Sequence, residues 1–89
     1  MTPELREKYR QTILVALLAV RPLSMALPAI NQLVSSRGYD DDEEAVAREL
    51  DYLSRNGLAR LKDKLISPAA RRWQITDTGV SYLEEEGLA

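Results

Sequence analysis

Residues 56–83 read NGLARLKDKLISPAARRWQITDTGVSYL, and the fold turns on how this stretch is parsed. Ala59, Leu61 and Leu65 alternate with Arg60, Lys62 and Lys64. A period of two puts apolar groups on one face of a strand and cations on the other. Residues 72–75 repeat the logic, with Trp73 and Ile75 expected inward and Arg72 and Gln74 outward. Between them Ser67-Pro68-Ala69-Ala70 has turn chemistry, because proline fixes φ and withholds a donor from any ladder. The result is a two-stranded ribbon with one cationic face.

Ahead of the ribbon, Asn56-Gly57 is a helix stop. Glycine adopts the left-handed conformation that closes a last turn, and Leu58 then folds back onto that turn. Behind the ribbon, Thr76 or Asp77 caps a new helix, and Gly79 removes a side chain where that helix approaches the sheet.

Upstream, a helix opens with Asp40-Asp41-Asp42-Glu43-Glu44, where Asp40 with Glu43 or Asp41 with Glu44 has the spacing of a capping box. Val46, Leu50 and Leu53 form its buried stripe. The opposite face collects Asp41, Glu44, Arg48, Asp51 and Arg55. Glu44 with Arg48, and Asp51 with Arg55, are acid-first i,i+4 pairs, each expected to stabilise the helix by about 0.2–0.5 kcal/mol. A shorter helix is predicted over about 28–36, burying Ile30, Leu33 and Val34 and ending before Gly38. Thr2-Pro3-Glu4 marks the first helix start. That helix runs to Val20, because Pro22 pushes Arg21 out of the helical region.

At 89 residues the chain supports one domain, 1–89, which buries about 60–65% of its unfolded surface. With 45% hydrophobic and 29% charged residues it reads as a folded globule. There is no cysteine, so neither disulfides nor thiolate metal sites are expected. Histidine is absent too, and the remaining carboxylates and serines show no partnered arrangement, so neither an enzyme nor a cofactor is expected. The longest apolar run, residues 13–20, is far shorter than the roughly 20 residues of a membrane helix. Glu4 and Glu7 stand where a secretory signal would be basic. The expected location is cytoplasmic, with no membrane partner.

Charge is unevenly placed. Residues 40–51 hold seven acids and one base, while residues 55–72 hold six bases and one acid, within a whole-chain net charge of −2. The acids lack the glycine and terminal glutamate of a calcium loop, so capping and solvation explain them better than a metal site. The cations either bind phosphate or guard an edge strand against aggregation; their clustering on one face favours an anionic partner. Trp73, beside Ile75, is read as core ahead of a base-stacking role.

Three helices, a ribbon and a closing helix, in that order, resemble the winged helix-turn-helix superfamily, most closely small bacterial and phage regulators similar to the MarR, ArsR and PadR families. The match is carried by Leu50, Leu53, Asn56, Gly57 and Leu58, then Ile75, Thr76, Gly79, Tyr82 and Leu83. The resemblance implies a mainly α fold with a small β-hairpin, ordered helix, helix, helix, strand, strand, helix, with the wing at about 58–75. It also implies a DNA-binding transcriptional regulator whose third helix enters the major groove of duplex DNA while the wing contacts phosphate. Arg48, Tyr52 and Arg55 then sit where helix contacts arise, and Lys62, Lys64, Arg71 and Arg72 on or beside the wing. Leu5, Tyr9 and Leu88 form the candidate seam of a homodimer. The acidic third helix departs from this pattern, since its start repels phosphate. The alternative is a winged-helix protein-interaction module whose acidic third helix docks a basic partner.

Overall fold

The Thr2 hydroxyl accepts from the Leu5 amide at 3.2 Å and Pro3 stands in the first turn, so α1 (Pro3–Ala19) begins where a capping side chain and a preset φ coincide. The computed structural model describes residues 2–39, 42–63 and 71–89. After α1 come β1 (Met25–Ala26), α2 (Leu27–Ser36), α3 (Glu43–Arg55), β2 (Ala59–Asp63), β3 (Arg72–Ile75) and α4 (Asp77–Glu85). Among the described residues the chain is mainly helical, with a small three-stranded antiparallel sheet. The expected turn at residues 67–70, together with Lys64 and Leu65, lies outside the described residues.

The sheet corrects the two-stranded expectation. Met25 pairs with Trp73 and Ala26 with Arg72, which adds β1 on the far side of β3 and gives the order β1-β3-β2. A strand of two residues is too short to show a period of two, and this one follows directly on the loop at the cis Arg21–Pro22 bond. On the other side β2 pairs with β3 through Ala59–Ile75, Arg60–Gln74 and Leu61–Trp73, with an irregularity before Asp63–Arg72. Trp73 and Ile75 point inward at 6% exposure each, as their alternation requires.

The core lies between the helices and the inner sheet face. Ile13, Leu14 and Leu17 of α1, Ile30 and Val34 of α2, and Val46, Leu50 and Leu53 of α3 are buried against Ala59, Trp73, Ile75 and Leu83. Each buried leucine, isoleucine or valine among them contributes about 1.5–3 kcal/mol of apolar transfer. Leu33, expected inside, is 40% exposed, because the buried stripe of α2 runs through Leu27, Ile30 and Val34 and leaves it off that face.

Local signals explain the helix ends. Asp42 caps α3 by accepting from the Ala45 amide at 2.8 Å, so the cap falls just after the acids proposed for it, which lie outside the described residues. Alanine at the third position closes no reciprocal bond. At the other end the Leu58 amide donates to the Leu53 carbonyl at 2.9 Å and the Gly57 amide to Ser54 at 3.1 Å, with Gly57 at φ 74°. This is the helix stop that Asn56-Gly57-Leu58 predicts. Thr76 caps α4, accepting from the Gly79 amide at 3.0 Å while donating to the Gly57 carbonyl. The cap of one helix thereby bonds the stop of another.

Candidate nucleic-acid interface

The polar face of α3 is open. Glu44, Arg48, Asp51 and Arg55 are all exposed, as their spacing predicts. Neither expected pair closes: Glu44 and Arg48, and Asp51 and Arg55, stay beyond ion-pair distance. Among the described residues the ion pair of α3 is tertiary. Arg10 of α1 reaches Glu49 at 2.7 Å with both side chains largely buried, and its guanidinium lies 3.5 Å from the ring centroid of Tyr52. Tyr52 is 36% exposed and already carries a cation on its face. Of the acids that burden this helix, Glu49 is therefore neutralised within the fold, whereas Glu44 and Asp51 face outward.

Arg71 and Arg72 do not act as a pair. Consecutive residues entering a strand point to opposite faces. Arg71 lines a cleft of about 230 Å³ with Trp73, Leu27 and the α3 residues Glu44, Ala47, Arg48 and Asp51. Arg72 turns to the outer face and donates twice to Ser24, from Nε to the hydroxyl and from a terminal nitrogen to the carbonyl, both at 2.8 Å. On the same outer face Arg60 donates to the Gln74 side-chain oxygen at 2.8 and 3.1 Å, and the Gln74 amide donates to the Pro22 carbonyl at 2.6 Å. Every acceptor in this set is neutral. Arg60 and Arg72 are thus positioned by neutral groups, and Lys62 is exposed nearby on β2. Arg21, in contrast, is paired with Asp77 across the same face. Lys64 lies outside the described residues.

The candidate seam is only partly at the surface. Leu5 is 51% and Leu88 43% exposed, but Tyr9 is 1% exposed and packs edge-on against Tyr39 with ring centroids 4.8 Å apart. Tyr9 is a core residue, since its position on α1 lines up with Ile13 and Leu17 at helical spacing. The nearby Tyr82 hydroxyl accepts from Gln11 at 3.0 Å and donates to Glu7 at 3.4 Å. Burial pushes its pKa above the usual tyrosine value; the Gln11 bond opposes this and the charges of Glu7 and Glu86 add to it.

Residues that sequence reasoning missed share one trait. Arg10, Ser24, Glu49 and Gln74 act through partners 39 to 52 positions away, which no local pattern announces. The one available signal was Glu49 itself, an acid off the polar stripe of α3 and next to Leu50.

No protein-family model, curated protein or solved structure matches the chain. Among the described residues no helix is long and apolar enough to cross a membrane.

Proposed function

We propose that the chain is a winged helix-turn-helix domain that binds duplex DNA as a transcriptional regulator, with α3 in the major groove and the β2–β3 ribbon as the wing. The element order, in which a short edge strand after the first helix joins two longer strands after the third, supports the winged-helix reading. The observation that carries the DNA reading is the neutral anchoring of Arg60 and Arg72. Among the described side chains Arg60 and Arg72 have no carboxylate partner; cations fixed on one ribbon face in this way repel one another, and phosphate relieves that repulsion. A lysine or arginine that merely blunts an edge needs no such fixed geometry.

The test is binding of random duplex DNA by fluorescence anisotropy across a salt series. Each phosphate contact contributes about −0.9 to the slope of log affinity against log salt. Arg60→Ala with Lys62→Ala therefore lowers the slope by up to about 2. Unchanged affinity of that double variant at low salt overturns the wing assignment.

A second reading is favoured by the exposure of Glu44 and Asp51, which form no ion pair among the described residues: a protein-interaction module meeting a basic partner through α3. Under that reading Glu44→Lys with Asp51→Lys abolishes the complex, and duplex DNA is not bound even at low salt by the unaltered protein. Exposed Leu5 and Leu88 remain the surface through which two copies pair in the regulator reading, with half-sites read together.

A further inference from the structure

The acids of α3 are awkward for a phosphate-binding helix, yet their placement fits the edges of bases. Glu44, Arg48 and Asp51 follow one another at helical spacing on the exposed face. Acid-first i,i+4 pairs attract each other only weakly on a helix, and a ligand contact readily replaces that attraction. Here Glu44 and Arg48 remain apart, so donors and acceptors are all left open to a ligand. The same three side chains line the cleft against Trp73, whose indole Nε1 is buried without a hydrogen-bond partner.

The chemistry of that face is selective. In the major groove guanine offers two acceptors, N7 and O6, and cytosine offers the N4 amino donor, whereas adenine places a donor beside an acceptor and thymine adds O4 and a methyl. A guanidinium matches the two acceptors of guanine, and a carboxylate matches the amino group of cytosine. The amide side chain that reads the mixed edge of adenine is missing, because α3 contains neither asparagine nor glutamine. Asn56, at its C-terminal end, has its own amide turned back to donate to the Tyr52 carbonyl at 2.8 Å.

Resting on the DNA-binding reading, we propose that α3 selects G·C base pairs, Arg48 donating to guanine O6 and N7 while Glu44 and Asp51 accept from cytosine N4. Seven residues separate the two acids, a rise of about 10 Å along the helix, which spans roughly three base-pair steps. A carboxylate aimed at a base edge lies away from both phosphate strands. The negative face of α3 then supplies specificity, and the ribbon supplies the attraction.

Selection from a randomised duplex pool is expected to enrich sites with G·C pairs at the positions α3 covers. Placing N4-methylcytosine there removes the major-groove amino proton and weakens binding by about 5-fold or more, the low end of what one good base contact contributes. The variant Glu44→Ala with Asp51→Ala, which removes both acceptors from exposed positions that support no core packing, binds methylated and unmethylated duplex alike. Enriched sites with A·T at these positions, or N4-methylation without effect on the unaltered protein, overturn the inference while DNA binding itself stands. Absence of duplex binding at low salt removes both.

Discussion

Arg72 holds Ser24 by two hydrogen bonds of 2.8 Å, and through them the central strand of the sheet holds the residue that leads into its shortest strand. Ser24 is 8% exposed, so its hydroxyl finds the guanidinium in place of water. The β1 strand contributes only Met25 and Ala26 to the sheet, and a ladder that short gains much of its definition from this side-chain clasp.

Ser24→Ala removes the hydroxyl and leaves the carbonyl contact. The expected loss is about 1 kcal/mol, the net value of one hydrogen bond, which lowers Tm by about 4–8 °C in a domain of this size. Thermal unfolding followed by circular dichroism measures it, and hydrogen exchange should quicken at Met25 and Ala26 ahead of the core helices.

Gly79→Ala is expected to destabilise by about 1–3 kcal/mol, the penalty for overpacking, even though alanine is the better helix former. A Cβ at this position collides with the Leu58 carbonyl oxygen and stands 2.7 Å from a side-chain carbon of Ile75. The carbonyl cannot swing aside, because it accepts from the Thr76 amide at 3.1 Å. Urea denaturation reads the shift; a variant as stable as the parent contradicts the close approach.

Arg10 and Glu49 should show a coupling of about 0.5–1 kcal/mol in a double-mutant cycle built from Arg10→Met and Glu49→Gln. The side chains are 22% and 18% exposed, which places the pair above the usual surface bridge. Arg10→Met also removes the cation from the Tyr52 ring, so Tyr52→Leu should cost less in that background than in the parent.

Tyr82 ties stability to alkaline pH. Its folded pKa is raised above the ordinary tyrosine value of 10.0, chiefly by burial, so the folded state holds the phenol proton more tightly than the unfolded chain. The stabilisation is complete below the unfolded value and is lost as pH rises through it toward the folded one. Urea midpoints measured on either side of pH 10.0 should fall more for the parent than for Tyr82→Phe, and equal falls contradict the assignment.

Much of the architecture was legible in residue order. The Asn56-Gly57-Leu58 stop, the Thr76 cap and the helical spacing of Val46, Leu50 and Leu53 all rest on patterns within a few residues, which is the range over which sequence speaks, and the glycine at position 79 marked a close approach without naming Leu58 as its partner. Trp73 and Ile75 were readable as inward because strand alternation is strict. The cationic ribbon and acidic helix were readable as charge, without their partners.

What local pattern could not supply was the choice among distant partners. Tyr9 could have faced a second copy or the core, and the packing of Tyr39 decided for the core. Arg10 chose Glu49 over the acids of its own helix, and Arg72 chose Ser24, so that one arginine faces a carboxylate and the other two neutral acceptors. The residues themselves dictated the helices, their ends and the two ribbon strands, since those depend on periodicity and capping. The third strand and the partners of Arg10 and Arg72 were set only when segments 39 to 48 residues apart came together, because an ion pair or a two-residue ladder forms where the finished core places its partners.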